Sequence, residues 1–444
     1  MKLATGIVKP CTLQLPNHLM GSHKSSSNNF MSFKITNSWS PKGKISSACG
    51  QSLVSKATKL RDKWMEFQGV KNWEGLLDPL DDGLRDEILR YGEFVEAAYR
   101  CFDFDTSSPG YATSLYGKES MLTHCGLGKT GYKVTKSLHA TCGVHLPSWA
   151  DDRVPSWVST RSSWIGYVAV CNDKNEIARL GRRDVVIAYR GTATCMEWLE
   201  NLRATLTCLP SDMAGKRETL PHQHNNVDSI YDHKKTTDCD TMVQSGFLSL
   251  YTSSSGTRPS LQDSIRDEIN KILQKYADEP LSITVTGHSL GAALATLTAH
   301  DITTTFKHAP LVTVVSFGGP RVGNKNFQRE LEKSGTKVLR IVNSDDPITR
   351  VPGFVLKDKK STQVDVQTEA GLSNWLWRRV EDTQFVYAEI GKELRVSSRD
   401  CPDLINGNVA ACHDLKTYLH LVDSFVSSNC SENRAEEEKQ ILCG

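Results

Sequence analysis

Apolar positions along the chain fall into two rhythms. Over DPLDDGLRDEILRYGEFVEAAYRCF, Leu84, Ile88, Tyr91, Val95 and Ala98 recur at helical spacing behind a turn-rich start, which predicts a helix with one buried face. Ile265, Ile269, Ile272, Leu273 and Tyr276 repeat that spacing, and so do Leu415, Leu419, Val422 and Phe425. Elsewhere the apolar residues crowd together, in WIGYVAV from Trp164, RDVVIAYRGT from Arg183, residues 281–286, LVTVVSF at 311–317 and KVLRIVN at 337–343. Short runs rich in β-branched residues bounded by turn signals read as strands. With a helix predicted from residue 290 to 306 and another helical stretch before residue 337, strand and helix alternate, the signature of a parallel sheet with crossover helices. The fold class is therefore α/β. The Gly- and Ser-rich passage up to residue 150 reads as loops with short elements, and the polar stretch from Leu209 to Thr241 as a long surface loop. No internal repeat is present.

The segment ITVTGHSLGAALA carries the strongest chemical signal. Ser289 lies between Gly287 and Gly291 in G-x-S-x-G form, with a strand-like run before it and an Ala-rich helix after it. A serine raised on a sharp strand-to-helix turn projects its hydroxyl above the sheet edge, and the flanking glycines remove side chains that would collide at the bend. An acid and then a histidine should follow in that order. RIVNSDDPITRVP offers Asp345 and Asp346 just past a predicted parallel strand, where sites of such sheets are built, and spacing does not choose between them. ACHDLKTYLHLVDSF offers His413, at the start of a helix, and His420, which reads as a packed histidine inside it. His288 lies within the elbow itself. An oxyanion site needs two fixed N–H donors: Leu290, immediately after the nucleophile, and a residue of the loop that follows VVIAYRG, which is Thr192. GLGKTG at 126–131 mimics a nucleotide-binding loop, but no strand-like run precedes it and Thr123 stands where such a loop needs glycine.

Composition narrows the context. A net charge of +2 and 39% hydrophobic residues describe a soluble globular chain, with no basic bias toward nucleic acid and no apolar run long enough to cross a bilayer. Contact with a membrane must then be peripheral. The 13 cysteines form no C-x-x-C pair, so neither a zinc site nor a dense disulfide framework is expected, and most read as reduced thiols. The first acid is Asp62; the 61 residues before it hold nine Lys or Arg and eleven Ser and lack the continuous apolar centre of a secretory signal. Residues 1–55 thus read as an organellar transit peptide and are set apart from the fold.

Taken together, AYRGTATCMEWLENL, VQSGFLSLY, TVTGHSLGAALA, SFGGPRVGN, RIVNSDDPITRVP and CHDLKTYLHLVDSF resemble the class 3 lipases. More narrowly, the chain is similar to the plant class I phospholipases A1 of the defective-in-anther-dehiscence type, and KWMEFQGVKNWEGLLDPLDDGLRDEILRYGEFVEAAYRCFDFD is similar to the N-terminal region of that group. The match runs in order over residues 62–430, leaving 431–444 as a tail and 62–150 as an N-terminal helical extension packed on an α/β-hydrolase domain. The resemblance implies a mostly parallel central sheet flanked by helices. It implies Ser289, Asp346 and His413 as the catalytic residues and Thr192 as the oxyanion threonine, although Pro347-Ile348-Thr349 departs from the family's more usual Ile-Val-Pro. It implies hydrolysis of the sn-1 acyl ester of membrane glycerolipids in plastids, supplying fatty acid for jasmonate synthesis, with no metal and no organic cofactor. A triacylglycerol or small-ester esterase, or a lipase-like signalling module without turnover, are the rival readings. Leu199, Leu202, Leu206 and Leu209 at helical spacing beside the oxyanion loop offer either a mobile lid over the site or a core helix.

Overall fold

The five crowded apolar runs become neighbouring strands because each must be covered on both faces. In the computed structural model, described for residues 60–143, 161–193, 205–213, 240–351, 386–400 and 409–425, the strands are β1 (Tyr132–Thr141), β2 (Ser162–Cys171), β3 (Arg183–Tyr189), β4 (Leu206–Cys208), β5 (Met242–Gln244), β6 (Leu281–His288), β7 (Leu311–Phe317), β8 (Lys337–Asn343) and β9 (Lys392–Val396). Seven of them form one sheet in the order β1-β2-β3-β6-β7-β8-β9. The pairs β1·β2 and β2·β3 are antiparallel, and every pair from β3 to β9 is parallel. Along β3, Val185, Ile187 and Tyr189 join the core on one face, while Val186 and Ala188 join the core on the other. Burial on both sides is why these strands read as unbroken apolar text rather than as alternation.

Five helices matter for the site. Helix α1 (Asp82–Arg100) starts at Asp81, whose carboxylate accepts from the N–H groups of Gly83 and Leu84, and it buries Leu84, Ile88, Tyr91, Val95 and Ala98 as its spacing predicts. Helix α2 (Ser245–Thr252) and helix α3 (Leu261–Lys275) lie on the opposite face, α3 burying Ile265, Ile269 and Ile272. Helix α4 (Leu290–Thr305) follows β6 and is buried almost all round from Leu290 to Ile302. Helix α5 (Leu415–Ser424) seats on α1: the Arg85 guanidinium donates to the carbonyl oxygens of Val422 at 2.6 Å and Asp423 at 3.0 Å. Gly92 of α1 faces Leu419, where a side chain on the glycine would collide with the leucine.

At the N-terminal ends of β3 and β6, far along the strands from the elbow, a charged cluster is sealed in the core. Arg90 pairs with Glu87 at 2.7 Å and Asp184 at 3.1 Å, Arg182 reaches Glu87 at 3.1 Å, and Tyr132 donates to Asp184 at 2.8 Å. Burial alone would raise the Glu87 carboxyl, but Arg90 and Arg182 outweigh it and hold it down to about 2.

Several expectations need correction. Residues 132–141 are not loop but a ten-residue edge strand, and β9 also went unread. The four spaced leucines do not share one helix. Leu206 opens β4, which pairs antiparallel with β5, and Leu209 is 7% exposed within the hydrophobic core; Leu199 and Leu202 lie outside the described residues. The β-branched, polar-alternating Thr-Leu-Thr-Cys run satisfies its backbone across a strand pair instead. Cys101, Cys125, Cys171 and Cys412 are free thiols, as expected of most, whereas Cys208 is in a disulfide.

Candidate active site

The parallel register puts the C-terminal ends of β3, β6 and β8 side by side, and their loops converge. Ser289 sits between the end of β6 and the start of α4 with φ 57° and ψ −123°, a left-handed conformation that L-residues adopt only under constraint. Its N–H donates to the Phe317 carbonyl at 3.0 Å, locking the bend to β7. The flanking glycines are required by contact. A side chain on Gly287 would run into the backbone of Gly291, and one on Gly291 would run into the Arg190 and Tyr189 carbonyl oxygens.

Beyond β8, Asp346 is fully buried and caps a short 3-10 turn, Pro347–Arg350, its Oδ1 accepting from the Ile348 N–H at 2.9 Å. Its Oδ2 accepts from His413 Nδ1 at 2.6 Å and from the Tyr418 hydroxyl at 2.6 Å. His413, two residues before α5, places Nε2 2.8 Å from Ser289 Oγ. The carboxylate can only accept, so neutral His413 carries its proton on Nδ1 and leaves the Nε2 lone pair for the serine hydroxyl. Asp345 faces elsewhere: its Oδ2 accepts from Ser397 Oγ and the Ser398 N–H, both at 3.0 Å, and its Oδ1 pairs with Arg399 at 3.0 Å. Of the two adjacent acids, Asp346 alone reaches the imidazole. His420 is exposed on the outer side of α5 rather than packed.

The loop after β3 brings the remaining candidates. The Gly191 Cα lies so close to the nucleophile that an added Cβ would sit 3.1 Å from the Ser289 Cβ. Arg190, fully buried, braces this loop by donating to the Gly191 carbonyl at 2.7 Å and to the Trp164 carbonyl at 2.9 Å, with its guanidinium stacked 3.9 Å from the Phe102 ring. Thr192 follows directly, half-buried, and Leu290 begins α4, where N–H groups have no intrahelical partner. Thr192 is thus the next residue after the glycine that packs against Ser289, and Leu290 is the next residue after Ser289 itself.

Four participants escaped the sequence reading or were given no role by it. Tyr418 holds the acid; burial first, and then the neighbouring Asp346 charge, push its phenol far above the ordinary tyrosine range, so it remains a donor. Asn343 knits the site by donating from its amide nitrogen to the Ser398 hydroxyl at 2.6 Å and the Cys412 carbonyl at 2.9 Å, next to His413. Tyr99 and His288 lie behind the serine, their ring edges joined at 2.7 Å. Tyr418 had one faint signal, a tyrosine five residues after the candidate histidine on a predicted core face. Among the described residues, no three His, Cys, Asp or Glu side chains gather as metal ligands, and no helix is long and apolar enough to cross a membrane.

Residues 186–356 match the family model for lipase (class 3). The chloroplastic phospholipase A(1) DAD1 of Arabidopsis thaliana is 61% identical over 372 residues, covering 84% of this chain and 78% of the relative. The chloroplastic galactolipase DONGLE of the same plant is 36% identical over 387 residues, covering 84% and 72%. Among solved structures, the Lip2 lipase of Yarrowia lipolytica is 18% identical with a TM-score of 0.41, covering 72% of this chain and 80% of that one.

Proposed function

This chain belongs to the class 3 lipases, and on that premise we propose that it hydrolyses the sn-1 acyl ester of membrane glycerolipids in the chloroplast, through Ser289, His413 and Asp346. The observation that carries the reading is the unbroken hydrogen-bonded series from Ser289 Oγ through the imidazole to a buried carboxylate. Ser289 Oγ attacks the ester carbonyl as its proton passes to His413 Nε2. Asp346 stabilises the imidazolium, and the N–H groups of Leu290 and Thr192 take the tetrahedral oxyanion. His413 then protonates the departing lysolipid oxygen, and water, deprotonated by the same imidazole, releases the fatty acid from the acyl-enzyme. Both a phospholipid and a galactolipid present this ester, so the headgroup is a matter for the assay. The enzyme is a carboxylic ester hydrolase needing no cofactor in these steps.

Reaching a bilayer requires apolar surface near the site. Phe104 and Leu115 are the support for peripheral contact: they are 52% and 51% exposed. The Phe104 ring packs at 4.7 Å on Phe102, which in turn carries the Arg190 guanidinium that braces the oxyanion loop. Residues 1–55 supply the plastid address in this reading.

Vesicles of phosphatidylcholine or monogalactosyl lipid with distinguishable sn-1 and sn-2 chains, analysed by mass spectrometry, test the proposal. Release of the sn-1 chain by the wild type and its loss in Ser289→Ala are expected. Release of the sn-2 chain, or undiminished release by a folded Ser289→Ala variant, overturns it.

A further inference from the structure

The loop that carries Thr192 and the loop that carries His413 come from opposite sides of Ser289, yet one pair of side chains spans them. His288 Nε2 lies 2.7 Å from the His413 carbonyl oxygen, and Nδ1 lies 2.7 Å from the Tyr99 hydroxyl. The Tyr99 oxygen in turn accepts from the Gly191 N–H at 2.8 Å. A carbonyl oxygen can only accept, so His288 carries its single proton on Nε2, and Nδ1 is the acceptor of the phenol proton. Every donor in the series Gly191 to Tyr99 to His288 to His413 has one acceptor, and the directions are fixed throughout.

We infer that Tyr99 and His288 are positioning residues that hold the Arg190-Gly191 peptide, directly before Thr192, and the His413 backbone in one register, and that turnover requires His288 to stay neutral. This rests on the assignment of Ser289 and His413 above. The geometry supplies the reason for neutrality. The two imidazole rings are 4.8 Å apart between centroids, so a charged His288 would face the imidazolium that His413 becomes as the serine attacks. A proton on Nδ1 would also confront the phenol hydrogen, breaking the series at its centre. The titratable groups around His288 are Tyr99 from α1, and His413 and Tyr418 from the α5 region, with Tyr418 6.1 Å away between ring centroids; Arg190, next to Gly191, is turned onto Phe102. Asp346 stands beyond, engaged with His413 and Tyr418. Burial, and next the proximity of His413, keep His288 well below the ordinary histidine range.

The test is a pH profile of kcat on a soluble monomeric short-chain ester, so that vesicle binding does not enter, with folding checked by near-ultraviolet circular dichroism. Tyr99→Phe removes the phenol that opposes a proton on Nδ1. We expect kcat about tenfold lower, the scale of one lost hydrogen bond, KM within about twofold, and the acid limb moved to higher pH. In Tyr99→Phe combined with His288→Gln, where no imidazole remains to titrate, the acid limb should return to its wild-type position. His288→Gln, whose amide nitrogen retains the donor toward the His413 carbonyl, should exceed His288→Ala in kcat. A Tyr99→Phe profile parallel to the wild type at every pH, or equal kcat for His288→Gln and His288→Ala, overturns the inference. Wild-type turnover by Ser289→Ala would instead strike at the underlying mechanism, so the two failures are distinct.

Discussion

Replacing Asp346 with asparagine removes one charge and almost no volume. In the wild type, Oδ2 accepts from His413 and Tyr418 at 2.6 Å each, and Oδ1 accepts from the Ile348 N–H at 2.9 Å. If the new amide keeps its oxygen toward Ile348, its NH2 faces His413 Nδ1 and forces the imidazole proton onto Nε2, where it can no longer accept from Ser289. If the amide flips, the NH2 opposes the Ile348 N–H in a fully buried position. Either orientation forfeits the charge that steadies the imidazolium. A unit charge about 4 Å from another is worth about 4 kcal/mol at an effective dielectric of about 20. With each 1.36 kcal/mol a factor of ten and the tautomer mismatch adding to it, kcat should fall about 10³–10⁴-fold. Asp345→Asn is the control. It keeps an acceptor for Ser397 and Ser398 and weakens only the pair with Arg399, whose side chain is 85% exposed. Exposed pairs contribute about 0–1 kcal/mol, so kcat should stay within about threefold. Initial rates on a soluble ester under saturating substrate, with matched circular dichroism spectra, decide the matter. A folded Asp345→Asn that loses more than Asp346→Asn refutes the assignment.

Four further outcomes follow from the geometry. Tyr418→Phe should lose about 1.5–3 kcal/mol in urea unfolding, the worth of a hydrogen bond to a charged group, and an unchanged midpoint would contradict the 2.6 Å contact with Asp346. Gly291→Ala should abolish soluble active protein because its Cβ meets two carbonyl oxygens, while Gly256→Ala, with nothing within 4 Å, should leave the melting temperature alone. Glu87 titrates at about 2 when folded and near 4.3 when unfolded; its contribution is therefore present above pH 4.3 and is lost as pH falls toward 2. Thermal melts between pH 5 and 2 should show that slope reduced in Glu87→Gln, and an identical slope would discount the Arg90–Glu87–Arg182 cluster. Leu209→Ala should cost about 2–5 kcal/mol of stability as a core deletion, with equal rate changes on vesicles and on soluble ester; a loss confined to vesicles would return that residue to a lid.

What was legible in the chain divides by burial. Strands β3, β6, β7 and β8 are covered on both faces, so their composition alone marks them, and the elbow is legible because steric demand dictates glycine on either side of Ser289. Strand β1 was invisible for the converse reason. Its central residues are only half-buried at the sheet edge and its register slips twice against β2, so Tyr-Lys-Val-Thr-Lys-Ser-Leu-His-Ala-Thr shows no steady alternation. The leucines from 199 to 209 show how a chance period can imitate a helix when two of its members serve a short strand and a core. Choosing Asp346 over Asp345 was beyond spacing, since neighbouring residues on a turn point in different directions and only the capped 3-10 geometry separates them. Tyr99 and His288 escaped because their partner atoms lie 92 to 189 residues away, including a backbone N–H and a backbone carbonyl that leave no mark in residue identity.

The seat of α5 on α1 has a consequence in time. By the point at which a growing chain has released Asp346, it already holds the nucleophile, its elbow and the acid. The base arrives 67 residues later, just ahead of a helix whose docking face was made much earlier, at Arg85 and Gly92. Until α5 closes against α1, the proposed nucleophile lacks its base and is an ordinary alcohol. Under the proposed mechanism, completion of the fold is thus the arming step: a C-terminally clipped chain would carry Ser289 without the imidazole that activates it.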